Sequence, residues 1–194
     1  TRTHEALLPA AMDRKKECKM CQQYAMGEVL GEGSQGKVRE ALDSVTLRRV
    51  AIKIVNLRVL RTVRNAEENL RRELRIHRRL KHANVVELIE DFKLLTDEKH
   101  KWYIVMELVM GGSLQDICDA APGHVLPDSL TCRFTRQLLG GLEHCHSRGV
   151  VHRDIKPSNL MVSTDGVLKI CDFGVADELD NYAEGDLTCK FRGS

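Results

Sequence analysis

Residues 149–174, GVVHRDIKPSNLMVSTDGVLKICDFG, carry the polar side chains best suited to chemistry in this chain. Asp154 and Asp172 flank Asn159, and Lys156 lies two positions after the first carboxylate. Carboxylate oxygens are the hard ligands that Mg²⁺ takes up beside phosphate groups, and an amide oxygen adds a ligand without adding charge. Lysine binds phosphate as a point charge. The segment therefore predicts a magnesium-dependent phosphoryl-transfer site.

A second chemical feature lies near the start of the chain, where Gly31, Gly33 and Gly36 form the pattern G-x-G-x-x-G. This pattern alone is a weak signal, because dinucleotide-binding folds share it. In those folds a helix follows the glycines, whereas here residues 26–33 and 37–43 both have the pattern of strands. The glycines are therefore predicted to form the tip of a β-hairpin that lets backbone amides approach phosphate oxygens, because no Cβ holds them away.

Lys53 follows as the last residue of the sequence VAIK, in which apolar neighbours place it on the inner face of a strand. A lysine in a sheltered cleft is costly unless it meets an anion. Two anions are available, a bound phosphate and the Glu73 carboxylate from the next predicted helix. Lys53 could instead be an ordinary exposed strand residue, but the glycine hairpin before it and Glu73 after it favour the cleft.

The surrounding pattern predicts an α+β fold with two lobes joined by a hinge. Five antiparallel strands are predicted at 26–33, 37–43, 48–55, 85–95 and 101–109, and a helix is inserted at 65–81. After Gly111 and Gly112 the pattern becomes helical, with helices at 113–121 and 127–149. A small hairpin follows, with Asn159 at one end and Asp172 at the other. The predicted divisions are a flexible basic leader at 1–23, a β-rich lobe with the hinge at 24–110, and a mainly helical lobe at 111–194.

Four motifs occur in the order that is typical of eukaryotic protein kinases. They are the glycine motif that ends at Val38, VAIK at 50–53, HRDIKPSN at 152–159 and DFG at 172–174. From about residue 26 to its last residue the chain resembles that family, which implies a bilobal kinase fold that uses ATP and Mg²⁺. Lys156 within HRDIKPSN resembles the serine/threonine class.

The resemblance also implies a role for each catalytic residue. Asp154 would accept or orient the proton of the substrate hydroxyl, and Lys156 would stabilise the transferring phosphate. Asp172 and Asn159 would hold magnesium. The implied catalytic set is Asp154, Lys156, Asn159, Lys53 and Glu73.

The nucleotide would lie between the glycine hairpin and the hinge, with the adenine edge on backbone groups of Glu107 and Val109. The implied nucleotide-contacting residues are Leu30, Gly31, Glu32, Gly33, Ser34, Gln35, Gly36, Lys37, Val38, Ala51, Lys53, Met106, Glu107, Val109 and Met161, with Leu160 as the alternative to Met161. In the family, His152 and Phe173 belong to an apolar column between the lobes, in which this chain has His77 at an apolar position. Our hypothesis is that His77 is neutral there, or that Ile76 replaces it.

Longer stretches, such as LGEGSQGKVREALDSVTLRRVAIKI, are similar to the liver-kinase-B type of serine/threonine kinase. This implies an upstream kinase of AMP-activated-kinase-like kinases, with protein substrates and with pseudokinase and scaffold activators. The family continues into an A-P-E-like motif and further helices beyond the last residue here, so we expect an incomplete C-terminal lobe. An inactive fragment or a pseudokinase-like nucleotide-binding scaffold is the alternative, and a small-molecule kinase is a third.

Composition limits the cellular compartments and the classes of binding partner that we expect for this protein. The net charge of +2 gives no general attraction to nucleic acid, and no apolar run is long enough to cross a bilayer. The first residues lack the apolar stretch of a secretory signal, and seven scattered cysteines favour free thiols in a reducing compartment. We therefore expect a cytoplasmic protein, with the nucleus as a second location if the basic cluster at 14–16 acts as a localisation signal.

Overall fold

The computed structural model describes residues 19–33, 36–96 and 100–178. Predictions that concern residues 1–18, Ser34, Gln35, residues 97–99 and residues 179–194 lie outside the described residues. They include most of the basic leader, two nucleotide-contacting positions and the end of the chain.

The N-terminal lobe is a single antiparallel sheet with the strand order β1-β2-β3-β4-β6-β5. Its strands are β1 (Lys19–Cys21), β2 (Tyr24–Gly33), β3 (Gly36–Asp43), β4 (Arg49–Asn56), β5 (Leu88–Leu95) and β6 (His100–Glu107). The predicted five-stranded sheet is thus corrected to six strands. The added strand β1 pairs with β2 and buries Cys21 in the cluster formed by Tyr24, Met26 and Tyr103. Three residues are too few to show a strand period, so the sequence placed them in the leader.

The two faces of the sheet bury different side chains, as the period of two along a strand requires. On one face Ile52 and Val105 pack with Tyr24. On the other face Val55 and Ile104 pack against two helices, α1 (Leu57–Leu60) and α2 (Ala66–Arg78). Helix α2 is shorter than predicted, and α1 was not predicted because it is a single turn.

The described C-terminal lobe has two α-helices, two short 3₁₀ helices (Pro122–His124 and Pro157–Asn159) and four short strands. The α-helices and strands are α3 (Leu114–Ala120), α4 (Asp128–Ser147), β7 (Val150–Val151), β8 (Leu160–Val162), β9 (Leu168–Ile170) and β10 (Asp177–Glu178). Helix α4 packs against the β8–β9 hairpin, and a Cβ on Gly141 would come within 2.8 Å of Ile170 Cδ1 and 3.0 Å of the Asn84 carbonyl oxygen. A glycine is therefore required where α4 approaches its neighbours. In the described part of the chain, no helix has the length and apolarity needed to cross a membrane.

The β8–β9 hairpin determines where the predicted metal ligands lie. Leu160 pairs with Ile170, and the Cys171 N–H donates to the Asn159 carbonyl oxygen at 3.0 Å. Because the strands are antiparallel, Asn159 before the first strand and Asp172 after the second flank the same open end. The hairpin therefore brings Asn159 and Asp172 to the same end in space, although they precede its first strand and follow its second in the sequence.

The two lobes share one core, which holds α2 against the site. Ile76 and Leu80, from α2 and the residues that follow it, are buried in the same cluster as Phe134, Ile170 and Phe173 of the C-terminal lobe. Phe173 of the DFG motif and the helix that carries Glu73 therefore pack in the same core, so that a displacement of Phe173 would change the packing of α2.

Candidate active site

The loop between β7 and β8 holds three of the predicted catalytic residues in one network. Asn159 Nδ2 donates to the Asp154 carbonyl oxygen at 3.0 Å and to Asp154 Oδ2 at 2.9 Å. Lys156 Nζ lies 2.9 Å from the same Oδ2 atom. An amide and an ammonium thus fix the orientation of the Asp154 carboxylate.

The buried amide of Asn159 has two separate uses. Its N–H₂ group is engaged by Asp154, so Oδ1 is the atom of this side chain that can ligate a metal ion. The sequence placed Asn159 in the catalytic set with the role of holding magnesium, and it gave no signal for the contact with Asp154. Asn159 and Asp154 are five positions apart in a loop, and a loop has no regular repeat from which such a contact could be predicted.

Asp172 lies just beyond β9 in a left-handed backbone conformation, with φ at 63°. Such a φ is uncommon for a residue other than glycine, although aspartate tolerates it better than most. The Gly174 N–H donates to Asp172 Oδ1 at 3.3 Å, which fixes one carboxylate oxygen. Asp172 therefore departs from the path of the strand next to the open hairpin end that Asn159 also flanks.

These two residues fit a magnesium ion that is shared with phosphates. In the described ranges, no group of three or more His, Cys, Asp or Glu side chains could form a complete cage for a metal. A site with one carboxylate and one amide oxygen leaves the other positions for phosphate oxygens and water, which is how magnesium is usually held beside a nucleotide.

Lys53 and Glu73 approach this site from the N-terminal lobe. Burial raises the pKa of Glu73, the Lys53 charge lowers it, and the Asp172 charge raises it again. A Cβ added to Gly174 would lie 3.2 Å from Asp172 Oδ1 and 3.6 Å from Glu73 Oε2, so both carboxylates border the same glycine. The helix residue, the strand lysine and the DFG aspartate therefore converge.

The Lys53–Glu73 pair is not closed. Among the described residues, the ion pairs with nitrogen–oxygen distances of up to 4.0 Å do not include one between these two side chains. Because most of Glu73 is removed from water, its carboxylate depends on a nearby positive charge to stay ionised. The Lys53 charge thus acts on Glu73 without an ion pair between the two side chains within 4.0 Å.

The strands of the N-terminal lobe place the predicted adenine-site residues on one face. Val38 pairs with Lys53, and Ala51 pairs with Met106, which puts these side chains on the cleft side of the sheet. Half-buried Val109 follows β6 in the connection to the C-terminal lobe.

The hinge residue Glu107 is held by both its backbone and its side chain. Its N–H donates to the Glu87 carbonyl oxygen at 2.9 Å. Its carboxylate lies 2.9 Å from Lys169 Nζ on β9, in a pair that is mostly shielded from solvent. The sequence missed this pair, because charged residues far apart in the chain carry no pairing signal.

The other side of the adenine site comes from β8. Leu160 and Val162 are buried in the core of the C-terminal lobe, whereas Met161 between them is half-buried. Since neighbouring strand residues point to opposite faces, Met161 faces away from that core. This alternation favours Met161 over Leu160 as the residue that lines the cleft.

The glycine motif lies between two paired antiparallel strands, β2 and β3, as predicted. Gly31 pairs with Val38, Glu32 with Lys37 and Gly33 with Gly36, and Leu30 precedes this tip with half of its surface exposed. Lys37 Nζ lies 2.6 Å from Glu32 Oε1 in an exposed pair. A Cβ on Gly36 would come within 2.1 Å of the Ile54 carbonyl oxygen, whereas one on Gly31 would meet no described atom within 4 Å. Strand β3 thus needs glycine at position 36 because β4 is so close, while open space beside Gly31 could take a ligand.

Behind the site, three rings form the column that joins the lobes. The Phe173 ring centroid lies 4.9 Å from that of His77 and 4.9 Å from that of His152. Burial lowers the pKa of both histidines. His77 Nε2 lies 2.6 Å from the Val86 carbonyl oxygen, so a neutral ring can donate its proton there. His77 itself therefore occupies the column, which favours the first of the two hypotheses over replacement by Ile76.

Cys171 lies beside these groups, with its thiol 3.3 Å from the Asn159 carbonyl oxygen. Burial, followed by the charge of Asp172, raises the pKa of the thiol to about 12. Cys171 is therefore almost entirely protonated at neutral pH.

Comparison with known proteins identifies the family, because the family model for the protein kinase domain matches residues 24–194. The chain belongs to the protein kinase family. It is 46% identical over 177 residues to serine/threonine-protein kinase stk11 of Xenopus laevis and 45% identical over the same length to STK11 of Homo sapiens. It is also 40% identical over 181 residues to serine/threonine-protein kinase par-4 of Caenorhabditis elegans.

These alignments cover 91% of the chain for the two STK11 proteins and 93% for par-4. The chain spans about 40% of the length of the STK11 relatives and 29% of the length of par-4. The predicted protein kinase fold, with an antiparallel N-terminal sheet and a mainly helical second lobe, is confirmed by the family match. The predicted similarity to the liver-kinase-B type is confirmed by the STK11 relatives.

Proposed function

We propose that the protein carrying this chain is an ATP-dependent protein serine/threonine kinase. It transfers the γ-phosphate of ATP to a hydroxyl group of a protein substrate. The observation that carries this proposal is the single network in which Lys156 Nζ and Asn159 Nδ2 each lie 2.9 Å from Asp154 Oδ2. A carboxylate oriented in this way can take up the hydroxyl proton, and the adjacent ammonium can balance charge on the phosphoryl group.

The other site residues position the nucleotide. Lys53 would offer an ammonium to the phosphates from β4, and Glu73 is the carboxylate that would orient it; the influence of the Lys53 charge on Glu73 supports this pairing. Asp172 and Asn159 would hold the magnesium ion. When bound, magnesium would neutralise negative charge on the phosphate oxygens. The protein supplies position and charge, which is what phosphoryl transfer mainly requires.

The finer assignment is an upstream kinase of AMP-activated-kinase-like kinases. Its support is the 45–46% identity to STK11 proteins and the resemblance of the glycine-loop and catalytic-loop sequences to the liver-kinase-B type. The same resemblance suggests a pseudokinase and a scaffold protein as activators. We place the protein in the cytoplasm, with the nucleus as a second location.

A nucleotide-binding scaffold without transfer activity is the second candidate. The observation that favours it is that Lys53 and Glu73 do not form an ion pair within 4.0 Å in the described residues. The presence of the Asp154 network weighs against it, because binding alone requires no oriented carboxylate facing the acceptor.

A phosphate-transfer assay separates the two candidates. The natural polypeptide that carries this sequence is incubated with magnesium and γ-labelled ATP, with the kinase domain of an AMP-activated kinase as acceptor and a metabolite mixture as the alternative acceptor. We expect labelled serine or threonine, lost at least about 100-fold in Asp154→Asn. ATP affinity should stay within about twofold, because this side chain faces the acceptor. Wild-type ATP binding without any transfer would establish the scaffold function, and equal labelling by wild type and Asp154→Asn would overturn the proposed role.

A further inference from the structure

The short strand that follows the DFG motif brings a carboxylate to the base of the catalytic loop. Strand β10 pairs with β7 so that Asp177 lies opposite Val151 and Glu178 opposite Val150. Strand β7 leads directly into the loop that carries His152 and Asp154. Backbone pairing thus fixes Asp177 beside the loop, although the two are more than twenty positions apart in the chain.

The Asp177 carboxylate contacts two arginines from different elements. Its Oδ2 atom lies 2.9 Å from Arg153 Nη1, and its Oδ1 atom forms an ion pair with Arg72 Nη2. Arg153 directly precedes Asp154, and Arg72 directly precedes Glu73. One side chain therefore connects the helix of the orienting glutamate with the loop of the catalytic aspartate.

The geometry of Arg153 shows that this connection is constrained. Its backbone has φ at 66°, which is sterically unfavourable for a residue other than glycine. Its Nε donates to the Val175 carbonyl oxygen at 2.7 Å, and only 22% of the side chain is exposed. Residues are held in such conformations when the surrounding contacts over-determine them, and such sites cluster where function requires a fixed shape. Two contacts with the segment after DFG, one to a carbonyl and one to Asp177, hold Arg153 in this shape.

We propose that Asp177 is a positioning residue for phosphoryl transfer, which couples helix α2 to the catalytic loop through Arg72 and Arg153. It touches neither nucleotide nor acceptor. Its carboxylate holds the Glu73 helix and the Asp154 loop in one relative position, so that both lobes present their groups to the same phosphate. This inference rests on the proposed kinase function, and it adds a residue to which neither the sequence motifs nor the family match assigns a role.

The neighbouring residue Glu178 provides a matched control. It lies on the same two-residue strand and pairs with Arg79, just after the end of α2. Arg79 also donates to the Arg148 carbonyl oxygen at 3.1 Å, so it stays anchored without Glu178. Among the ion pairs between described residues, Glu178 takes part in the one with Arg79 and in none with Arg153 of the catalytic loop. Removing its charge therefore tests the loss of an ion pair without the loss of the coupling.

The test uses the natural polypeptide with the variants Asp177→Asn, Asp177→Glu and Glu178→Gln. We expect Asp177→Asn to lower kcat about tenfold, because the Glu73 helix and the Asp154 loop are then no longer held in one relative position. ATP affinity should change less than about twofold, because Asp177 does not contact the nucleotide. Asp177→Glu should recover most of the activity, and Glu178→Gln should stay within about twofold of wild type. A kcat for Asp177→Asn within twofold of wild type, or an equal loss in Glu178→Gln, would overturn the proposal.

A double-mutant cycle and hydrogen exchange distinguish coupling from general destabilisation. Arg72→Gln combined with Asp177→Asn should be no slower than the slower single variant, since both remove the same link. Exchange of the α2 amides should be faster in Asp177→Asn than in Glu178→Gln. Additive losses in kcat, or equal exchange in the two variants, would contradict the coupling. If the wild-type protein transfers no phosphate, the kinase proposal fails, while the exchange comparison still decides whether Asp177 couples the two elements.

Discussion

Replacing His77 with leucine tests the ring column between the lobes. His77 is buried, contacts Phe173 and donates to the Val86 carbonyl oxygen at 2.6 Å. Leucine keeps the apolar contact but leaves that carbonyl without its donor, which costs about 1–3 kcal/mol of unfolding free energy at neutral pH. Leucine also removes a titrating group from a buried place. We therefore expect a variant that is less stable at pH 7.5 and retains or exceeds wild-type kinase activity.

The pH dependence supplies the sharper part of this prediction. Burial holds the pKa of His77 below its ordinary value of 6.5, so the unfolded chain binds a proton more readily than the folded one. The stability contribution of neutral His77 is fully present above pH 6.5 and is lost as the pH falls below it, by at most about 1.4 kcal/mol per pH unit. Leucine has no such loss. The stabilities of the two proteins should therefore converge between pH 6.5 and pH 5.

Urea unfolding of wild type and His77→Leu at half-unit steps from pH 7.5 to pH 5 measures this convergence. His152 has a lowered pKa in the same column, and its effect is common to both proteins, so the difference between them isolates His77. Parallel stability curves would show that the ring is not held neutral by burial. A severe loss of activity in His77→Leu would refute the view that this position needs only an uncharged packing group.

Three further experiments test different parts of the site. Asn159→Ala removes both hydrogen bonds to Asp154, so kcat at saturating ATP and magnesium should fall at least about 100-fold; a loss below threefold would contradict the orienting role. Cys171, with a thiol pKa of about 12, should react with a cleft-directed electrophile slowly at pH 7 and more slowly with ATP, and equal labelling with and without ATP would place it outside the cleft. Gly36→Ala should lower Tm far more than Gly31→Ala does, because only a Cβ at position 36 meets a carbonyl oxygen at 2.1 Å. Gly36→Ala should also weaken ATP binding. Similar Tm values for the two variants would contradict the hairpin geometry.

The parts of the fold that repeat a pattern were predictable from the sequence. The apolar neighbours within VAIK placed Lys53 on the inner face of its strand, and the helical pattern at 65–81 predicted α2. The motif order correctly predicted a protein kinase. Strand β1 was missed, because three residues show no period and because Cys21 is buried in a cluster that includes the distant residue Tyr103.

The connections between motifs were not predictable in the same way. Asp177 with Arg153 and Glu107 with Lys169 are charge pairs set by the packing of elements far apart in sequence. A single sequence shows the charges but not which of them meet. His77 illustrates the same limit. The family resemblance placed it in the column, but only the contact with the Val86 carbonyl explains how a histidine is accepted there.

The central claim is that Lys53 from one lobe and Asp172 with Asn159 from the other act on one nucleotide. A crystal structure of the natural polypeptide with a non-hydrolysable ATP analogue and Mn²⁺, whose anomalous signal locates the metal, tests this most directly. We expect Lys53 Nζ on the α- or β-phosphate and the metal bound by Asp172 and Asn159 Oδ1 on the same triphosphate. A metal held away from these two side chains, or a nucleotide out of reach of Lys53, would contradict the assignment.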